Sequence, residues 1–372
     1  MRLAVVIGLS VCLLNGSPIY RVIDLGTLGG SSAATSLNSN GRAAGWSLLG
    51  SQSVRAMESD GRGGPQSLDP AHQSRAYGIN DSGQSVGVQY DAYGNAHAVI
   101  WGDGGDSLGE LGGANSYALA INSSGTVAGA VAGRAARFTG HGEAVEVEVN
   151  APWSSANAIN SSGGVAGTAQ PVNGQFRAFS ATAGGQVAMI GTLAGGWASY
   201  GQALNDEGWV VGGATTARGY MHAFLFANGR MQDLGTLGGG NSGAYGVNSG
   251  GQVVGYSNTP DGQSSAFQWE NGVMRDLNTS IAADTGWRLL EASAINERGQ
   301  IAGFGLFGGV QRAFRLDPIE AKSLADVLAR TSSDNIIGGS DTTAVPEPGS
   351  LLLIAFGVAG LAFGLARPSY FS

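Results

Sequence analysis

"NSGGQVVG", residues 248–255, is one of seven copies of the pattern Asn-x-x-Gly-x-x-x-Gly in this 372-residue chain. The other copies begin at Asn38, Asn80, Asn122, Asn160, Asn205 and Asn296, and the one quoted begins at Asn248. Successive copies lie 38 to 48 residues apart, a period shared by propeller blades and helical arrays. Glycine at this density breaks helices, and no unit sustains a 3.6-residue apolar period, so the units read as strands.

Each unit parses into four short strands. The first precedes the Asn, as in "AYGIN" (76–80), "ALAIN" (118–122) and "ASAIN" (292–296). Small residues two and four places before the Asn share one strand face. An innermost propeller strand needs this, because sheets converge near the axis. Asn-x-x-Gly then reads as a hairpin turn: Asn supplies a local side-chain hydrogen bond, and Gly supplies the positive φ of a type I turn with a bulge. The seven asparagines are therefore expected to be structural. The third strand is "HAFLF" (222–226), "SAFQW" (265–269), "HAVIW" (97–101), "RAFSA" (177–181) or "RAFRL" (312–316). Asn228-Gly229 and Asn271-Gly272 are favoured hairpin dipeptides leading into the fourth strand.

"DLGTLGG" occurs at 24–30 and again at 233–239. The second copy follows its own third strand, whereas the first has none before it and the last unit, ending at "RAFRL", has no fourth strand after it. The two deficits match. Residues 20–25 are expected to pair beside 312–316, closing an all-β, seven-bladed β-propeller over residues 18–317 and covering two exposed edges. A β-solenoid with unequal, capped end units is the alternative.

The "HAFLF…DLGTLGG…IN..G..VG" pattern resembles the HAF repeat of bacterial extracellular proteins over about 300 residues. That resemblance implies an exported β-repeat protein and little assured biochemistry. Residues 1–17, with Arg2 ahead of an apolar run from Leu3 to Leu14, read as a secretory signal peptide. The sole cysteine, Cys12, lies inside it, so disulfides cannot staple the mature domain. "LSVC" (9–12) is similar to a lipoprotein box, but Val11 is bulkier than the residue expected there.

Residues 318–344 read as a linker, opening with a short helix capped by Asp317. Residues 345–372 follow, with Val345, Pro346, Glu347, Pro348 and Ser350 ahead of a sixteen-residue apolar stretch, 351–366, and Arg367. Sixteen residues fall short of the ~20 that span a bilayer core as a helix. The order of parts resembles the PEP-CTERM sorting signal, although a single Arg367 stands where that signal carries a basic cluster. The resemblance implies an apolar C-terminal helix held transiently in the inner membrane, an exosortase-type processing protease as partner, and delivery to the cell surface or extracellular matrix of a Gram-negative bacterium. A plain C-terminal membrane anchor is the alternative.

The formal charge is −8 and the arginines are scattered singly, which excludes a phosphate-binding stripe and with it nucleic acid. His97 and His222 share a repeat position with Arg55, Arg134, Arg177, Ser265 and Arg312, so the repeat explains them without catalysis. Asp24, Asp233 and Asp276 also share a position; "GTLGG" lacks the helix and Lys of a phosphate loop, and "DGGD" (103–106) has too few oxygen ligands for calcium. No catalytic residue, metal site or cofactor is assigned.

Trp153, Trp197 and Trp287 lie seven to nine residues before their unit's Asn, in the connections between blades, where other units place Ser31, Gln73, Asn115 or Asn241. These connections share one rim with the loops between second and third strands, including 89–96 and 257–264. Trp153, Trp197, Trp287, Asn115 and Asn241 are therefore the candidate ligand face, suited to stacking and hydrogen bonding on sugar rings. Packing between blades is the competing role for the tryptophans. The expected function is a non-enzymatic surface or matrix protein that binds extracellular polysaccharide; a glycan-active hydrolase or lyase on the same scaffold is the alternative.

Overall fold

The computed structural model describes residues 20–319 except 51–52, 103–106, 140–142 and 173, and describes only the backbone of 107–114. The described residues form seven four-stranded antiparallel sheets, each with its strands in sequential order except at the closure. Blades 1 to 6 span residues 32–67, 73–114, 116–146, 153–189, 199–235 and 242–276. Blade 7 takes three strands from 287–318 and its outermost strand, Tyr20–Gly26, from the other end of the propeller. In that closure Tyr20 faces Pro318, Val22 faces Leu316 and Asp24 faces Phe314. The two DLG copies occupy one register: Asp24 and Gly26 oppose Phe314 and Ala313 as Asp233 and Gly235 oppose Phe224 and Ala223.

The repeated asparagine does two jobs. Within its own hairpin, Oδ1 accepts backbone N–H bonds, as from Ser124 and Thr126 to Asn122, while the glycine three residues on takes φ between 71° and 82°. Across blades, Nδ2 donates to the backbone carbonyl of the next blade's asparagine. The bonds run from Asn38 to Asn80, Asn122, Asn160, Asn205, Asn248 and Asn296, and from Asn296 back to Asn38, at 3.0 to 3.4 Å. Seven bonds thus form a closed ring around one end of the central channel.

The second glycine of the motif answers a different need. Each innermost strand carries a register shift, or bulge, three residues before its Asn. A Cβ on the opposing glycine would meet a backbone carbonyl oxygen at 1.8 to 2.0 Å, as Gly87 would meet that of Arg75 and Gly129 that of Tyr117. Only glycine allows this approach.

A second ring of contacts ties the third strand to the following blade. Ser74, Ser116, Ser154, Ser199, Ser242 and Ser32, each six residues before its Asn, accept a bond at Oγ from the N–H of Ala56, Ala98, Ala135, Ala178, Ala223 and Ala313. These are the alanines of the HAF-like stretches, all fully buried. Blade 7 has Leu290 at the serine position, and Asn278 bridges instead, its side chain bonding both the N–H and the carbonyl of Leu289 at 2.8 and 2.9 Å.

Apolar burial is distributed over seven clusters, each a wedge between consecutive blades; Ala34, Leu37 and Met57 of blade 1 pack with Leu25, Ala302 and Ala313 of blade 7 across the blade 7–1 boundary. No helix among the described residues is long and apolar enough to cross a membrane. The expected signal peptide, the linker after Ile319, the sorting motif residues Val345 to Arg367 with their apolar helix, and the acidic turn at 103–106 lie outside the described residues.

Candidate functional site at the mouth of the central channel

The bulge aims one side chain per blade at the propeller axis. Thr35, Tyr77, Leu119, Asn157, Gln202, Tyr245 and Ser293 form this layer. It divides the channel into a compartment of 290 Å³, walled by the small and aliphatic residues that precede each Asn, and one of 280 Å³ that also includes Glu291. Those flanking residues repeat from blade to blade, whereas the axis-facing layer changes its chemistry at every blade.

One step outward, the residue five before each Asn pairs directly with the second strand, and bulk is exchanged between the two. Ala33 faces Trp46 and Gly243 faces Tyr256, whereas Tyr117 faces Ala130 and Tyr200 faces Gly213. Charge enters this layer at two places, Arg75 in blade 2 and Glu291 in blade 7.

Arg75 extends across the boundary with blade 1, its guanidinium carbon 5.0 Å from the centroid of the Trp46 ring. It stands beside the phenols of Tyr77 and Tyr90, both raised above the usual tyrosine range first by burial. These side chains, with Gln73, Val54 and the hairpin at 91–94, line a cleft of 600 Å³. Asp91 in that hairpin is occupied in shaping it. Its Oδ2 accepts from the Asn95 side-chain amide at 2.8 Å, which holds its carboxyl down at about 2 against the opposing effect of desolvation, helped by the Asn95 and Tyr93 N–H bonds to Oδ1 at 2.8 Å.

Glu291 is pushed up to about 7 by burial, opposed only by the Ser293 hydroxyl at 3.5 Å. Its neighbours are Tyr245 and Tyr256, stacked at 5.9 Å between ring centroids. Both phenols are raised, first by burial and next by the Glu291 carboxylate. The wall thus holds a carboxyl group that changes charge near neutrality, next to two phenols that stay protonated.

The residues of the expected ligand face enter blades 3 to 7 one at a time, so they are spaced around the rim. Trp197 is 53% exposed and its carbonyl accepts from Arg177, while Trp153, 40% exposed, stands edge-on to Phe176 at 5.9 Å. Phe176 in turn contacts Tyr200 at 5.4 Å, which joins the blade 4 rim to the layer one step outward from the axis in blade 5. Trp287 stacks on Phe307 at 5.2 Å and packs edge-on to Phe314 in the blade 6–7 wedge. Asn115 takes φ 59° and its carbonyl accepts the Ala132 N–H; the Asn241 Oδ1 accepts the Met221 N–H at 3.0 Å.

The repeated polar position of the third strand pairs across to the fourth. His222 meets Asp233 at 2.9 Å, Arg312 meets Asp24, the Ser265 hydroxyl donates to Asp276 at 2.6 Å, and Arg134 meets Glu146 at 3.2 Å. Among the described residues no group of three His, Cys, Asp or Glu side chains is placed to hold a metal ion.

Sequence reasoning put Gln73 and the loop at 89–96 on this rim but passed over Arg75, Tyr77, Tyr245 and Glu291. The available signal was variation three and five residues before an otherwise repeating Asn.

Comparison with solved structures finds other β-propellers at low identity. TolB from Acinetobacter baumannii is 12% identical with a TM-score of 0.39, covering 78% of this chain and 64% of its own. The BP39L lectin from Burkholderia pseudomallei is 10% identical with a TM-score of 0.43, covering 82% of this chain and 98% of its own. A Mycobacterium tuberculosis puromycin-hydrolyzing peptidase is 12% identical with a TM-score of 0.33; the match covers 80% of this chain and 52% of the peptidase, about half its length. These likenesses concern the fold alone. Comparison with curated protein sequences found no match. Residues 344–367 match the PEP-CTERM protein-sorting motif, which implies an exported protein, anchored in the membrane and then sorted by an exosortase, in a Gram-negative bacterium.

Proposed function

We propose that this chain is a surface or matrix protein whose propeller is a binding module for extracellular polysaccharide, engaged at the channel mouth. One observation carries the reading: side chains that break the repeat are concentrated on the axis-facing positions and on those one step outward, where tyrosines, amides and isolated charges gather. A frame held by repeating Asn, Ser and Gly does not need this variety, and stacking faces beside hydrogen-bonding groups suit sugar rings. The sorting motif and the resemblance to HAF-repeat extracellular proteins support action outside the cell.

The test is to incubate the purified protein with the exopolysaccharide of its own host and assay both retention and chain length. Retention without shortening is expected. Shortening would replace this reading with a glycan-active enzyme, and neither retention nor shortening would remove polysaccharide as the ligand. Deleting residues 345–372 is expected to abolish sorting, measured by surface labelling of cells; unchanged surface display would contradict exosortase handling.

A further inference from the structure

The cleft between blades 1 and 2 gathers polar groups that the protein itself leaves unused. Among the described residues the Arg75 guanidinium, the Gln73 amide and the hydroxyls of Tyr77 and Tyr90 make no hydrogen bond, yet all four side chains line the same 600 Å³ space. Several other arginines have hydrogen-bonding partners: Arg312 pairs with Asp24, Arg42 with Glu58 and Arg315 with Asp317, while Arg137 and Arg177 donate to backbone carbonyls. The one carboxylate in the cleft, Asp91, is turned to its own hairpin and to His97. Arg75 is held instead over the face of Trp46. A guanidinium placed on an indole face keeps its in-plane N–H groups available, in the fork geometry that matches a carboxylate.

We propose that this cleft is an acidic-sugar subsite, in which Arg75 receives the carboxylate of a uronate residue while Tyr77 and Tyr90 flank the sugar and Gln73 bonds a ring hydroxyl. The proposal rests on the polysaccharide reading above and narrows it to an anionic chain. A cleft of this volume has room for a short saccharide rather than a lone ion. A neutral sugar would leave the cation uncompensated while desolvating it, so the same geometry selects against neutral chains.

The test is titration calorimetry on the full chain with tetragalacturonate, its methyl ester and tetraglutamate, alongside retention on a neutral polysaccharide. The wild type is expected to bind tetragalacturonate, with the ester and Arg75→Gln each losing roughly 10- to 100-fold, the scale of one charge-assisted hydrogen bond. Arg75→Lys, which keeps the charge without the fork, is expected to fall between. The ester arm needs no variant, so the outcome holds even if Arg75→Gln folds poorly. Equal affinity for acid and ester, or full affinity in a folded Arg75→Gln, overturns the proposal. Equal or tighter binding of tetraglutamate makes the cleft an acidic-peptide site instead. Retention on the neutral chain with no tetragalacturonate binding sinks the subsite and leaves the polysaccharide reading standing; loss of both sinks the two together.

Discussion

Asn122 shows how much one repeated residue carries: its amide closes a turn through Oδ1 and links blade 3 to blade 4 through Nδ2. Asn122→Ala removes both and is expected to cost about 1–3 kcal/mol in urea denaturation. Asn122→Asp keeps the acceptor and removes only the donor, while turning a carboxylate toward the Asn160 carbonyl; it is expected to destabilise at least as much as Ala, and a neutral result would show that the ring of bonds between blades is idle. Gly87→Ala places a Cβ 1.9 Å from the backbone oxygen of Arg75, so the strand itself must shift. A loss of roughly 3 kcal/mol or more is expected in the same assay, well above the ordinary Gly-to-Ala difference. Both positions were legible from spacing, but only the first glycine's reason was, since a turn is local in sequence. The second glycine answers a bulge in another strand, which spacing along one strand does not disclose. The place of Glu291 outside the repeat was legible, but its weakened acidity was not, because that comes from burial in the folded propeller. Its folded value, about 7, lies above the unfolded carboxyl value, so the native state favours the protonated form. Stability from this group is full below the unfolded value near 4.5 and is lost as pH rises through 7. Glu291→Gln is therefore expected to raise the melting temperature at pH 8 and leave it unchanged at pH 4, with a gain of roughly 1–3 kcal/mol at the higher pH. Equal gains at both pH values would show that packing, not charge, is responsible.

At the scale of the strand, the seam was legible because it follows from counting: one fourth strand with no third, and one third with no fourth. The structure extends that pairing from Tyr20 opposite Pro318 to Gly26 opposite Ala313. Tyr20 and Leu25 are both buried, the first in the blade 6–7 wedge with Phe314 and Leu316, the second in the blade 7–1 wedge. Leu25→Ala, at a fully buried site touching two blades, is expected to cost about 2–5 kcal/mol. Deleting residues 19–30 removes the whole strand, bares the edge of Val310–Pro318 and uncovers both wedges. Calorimetry is expected to show a melting temperature lower by more than ~10 °C, or no cooperative transition; a truncated protein that melts like the full chain would rule out a stabilising seam. What counting did not reveal is the compensation at the other side of blade 7. There Leu290 breaks the serine series and Asn278, from the single-turn 3-10 helix Leu277–Ser280, links blades 6 and 7 by a different pair of bonds, from its side-chain amide to the backbone of Leu289.

The propeller formed by the described residues is a ring of seven wedges, so its stability depends on where the ring is interrupted. In the natural order the chain crosses the blade 7–1 boundary covalently, and the break lies inside the blade 7 sheet, between the strands Tyr20–Gly26 and Val310–Pro318. That break is bridged by a ladder of backbone bonds and by the Arg312–Asp24 ion pair. A circular permutant that joins residue 319 to residue 20 and opens the chain between 30 and 31 makes blade 7 continuous and moves the break to the blade boundary. The polar contacts left across it are isolated side-chain bonds: Asn296 to Asn38, Ala313 to Ser32, Gln311 to the Ser32 carbonyl, Arg315 to the Gly41 and Asp60 carbonyls, Ser32 to the Gly26 carbonyl and the Leu28 N–H to Ser47, together with the apolar wedge of Leu25, Ala34, Leu37, Met57, Ala302 and Ala313. A wedge is non-directional and opens by small separations, whereas a strand ladder must break bond by bond. The permutant is therefore expected to reach the same all-β ring, with the same circular dichroism, yet to unfold in urea at least about tenfold faster than the natural order, the factor given by a barrier lowered by ~1.4 kcal/mol. Equal unfolding rates would mean that the blade boundaries, not the shared sheet, set the barrier. In that case the match between the two DLGTLGG copies would reflect only the repeat, and the blade 7 sheet would be no stronger a lock than any of the seven blade boundaries.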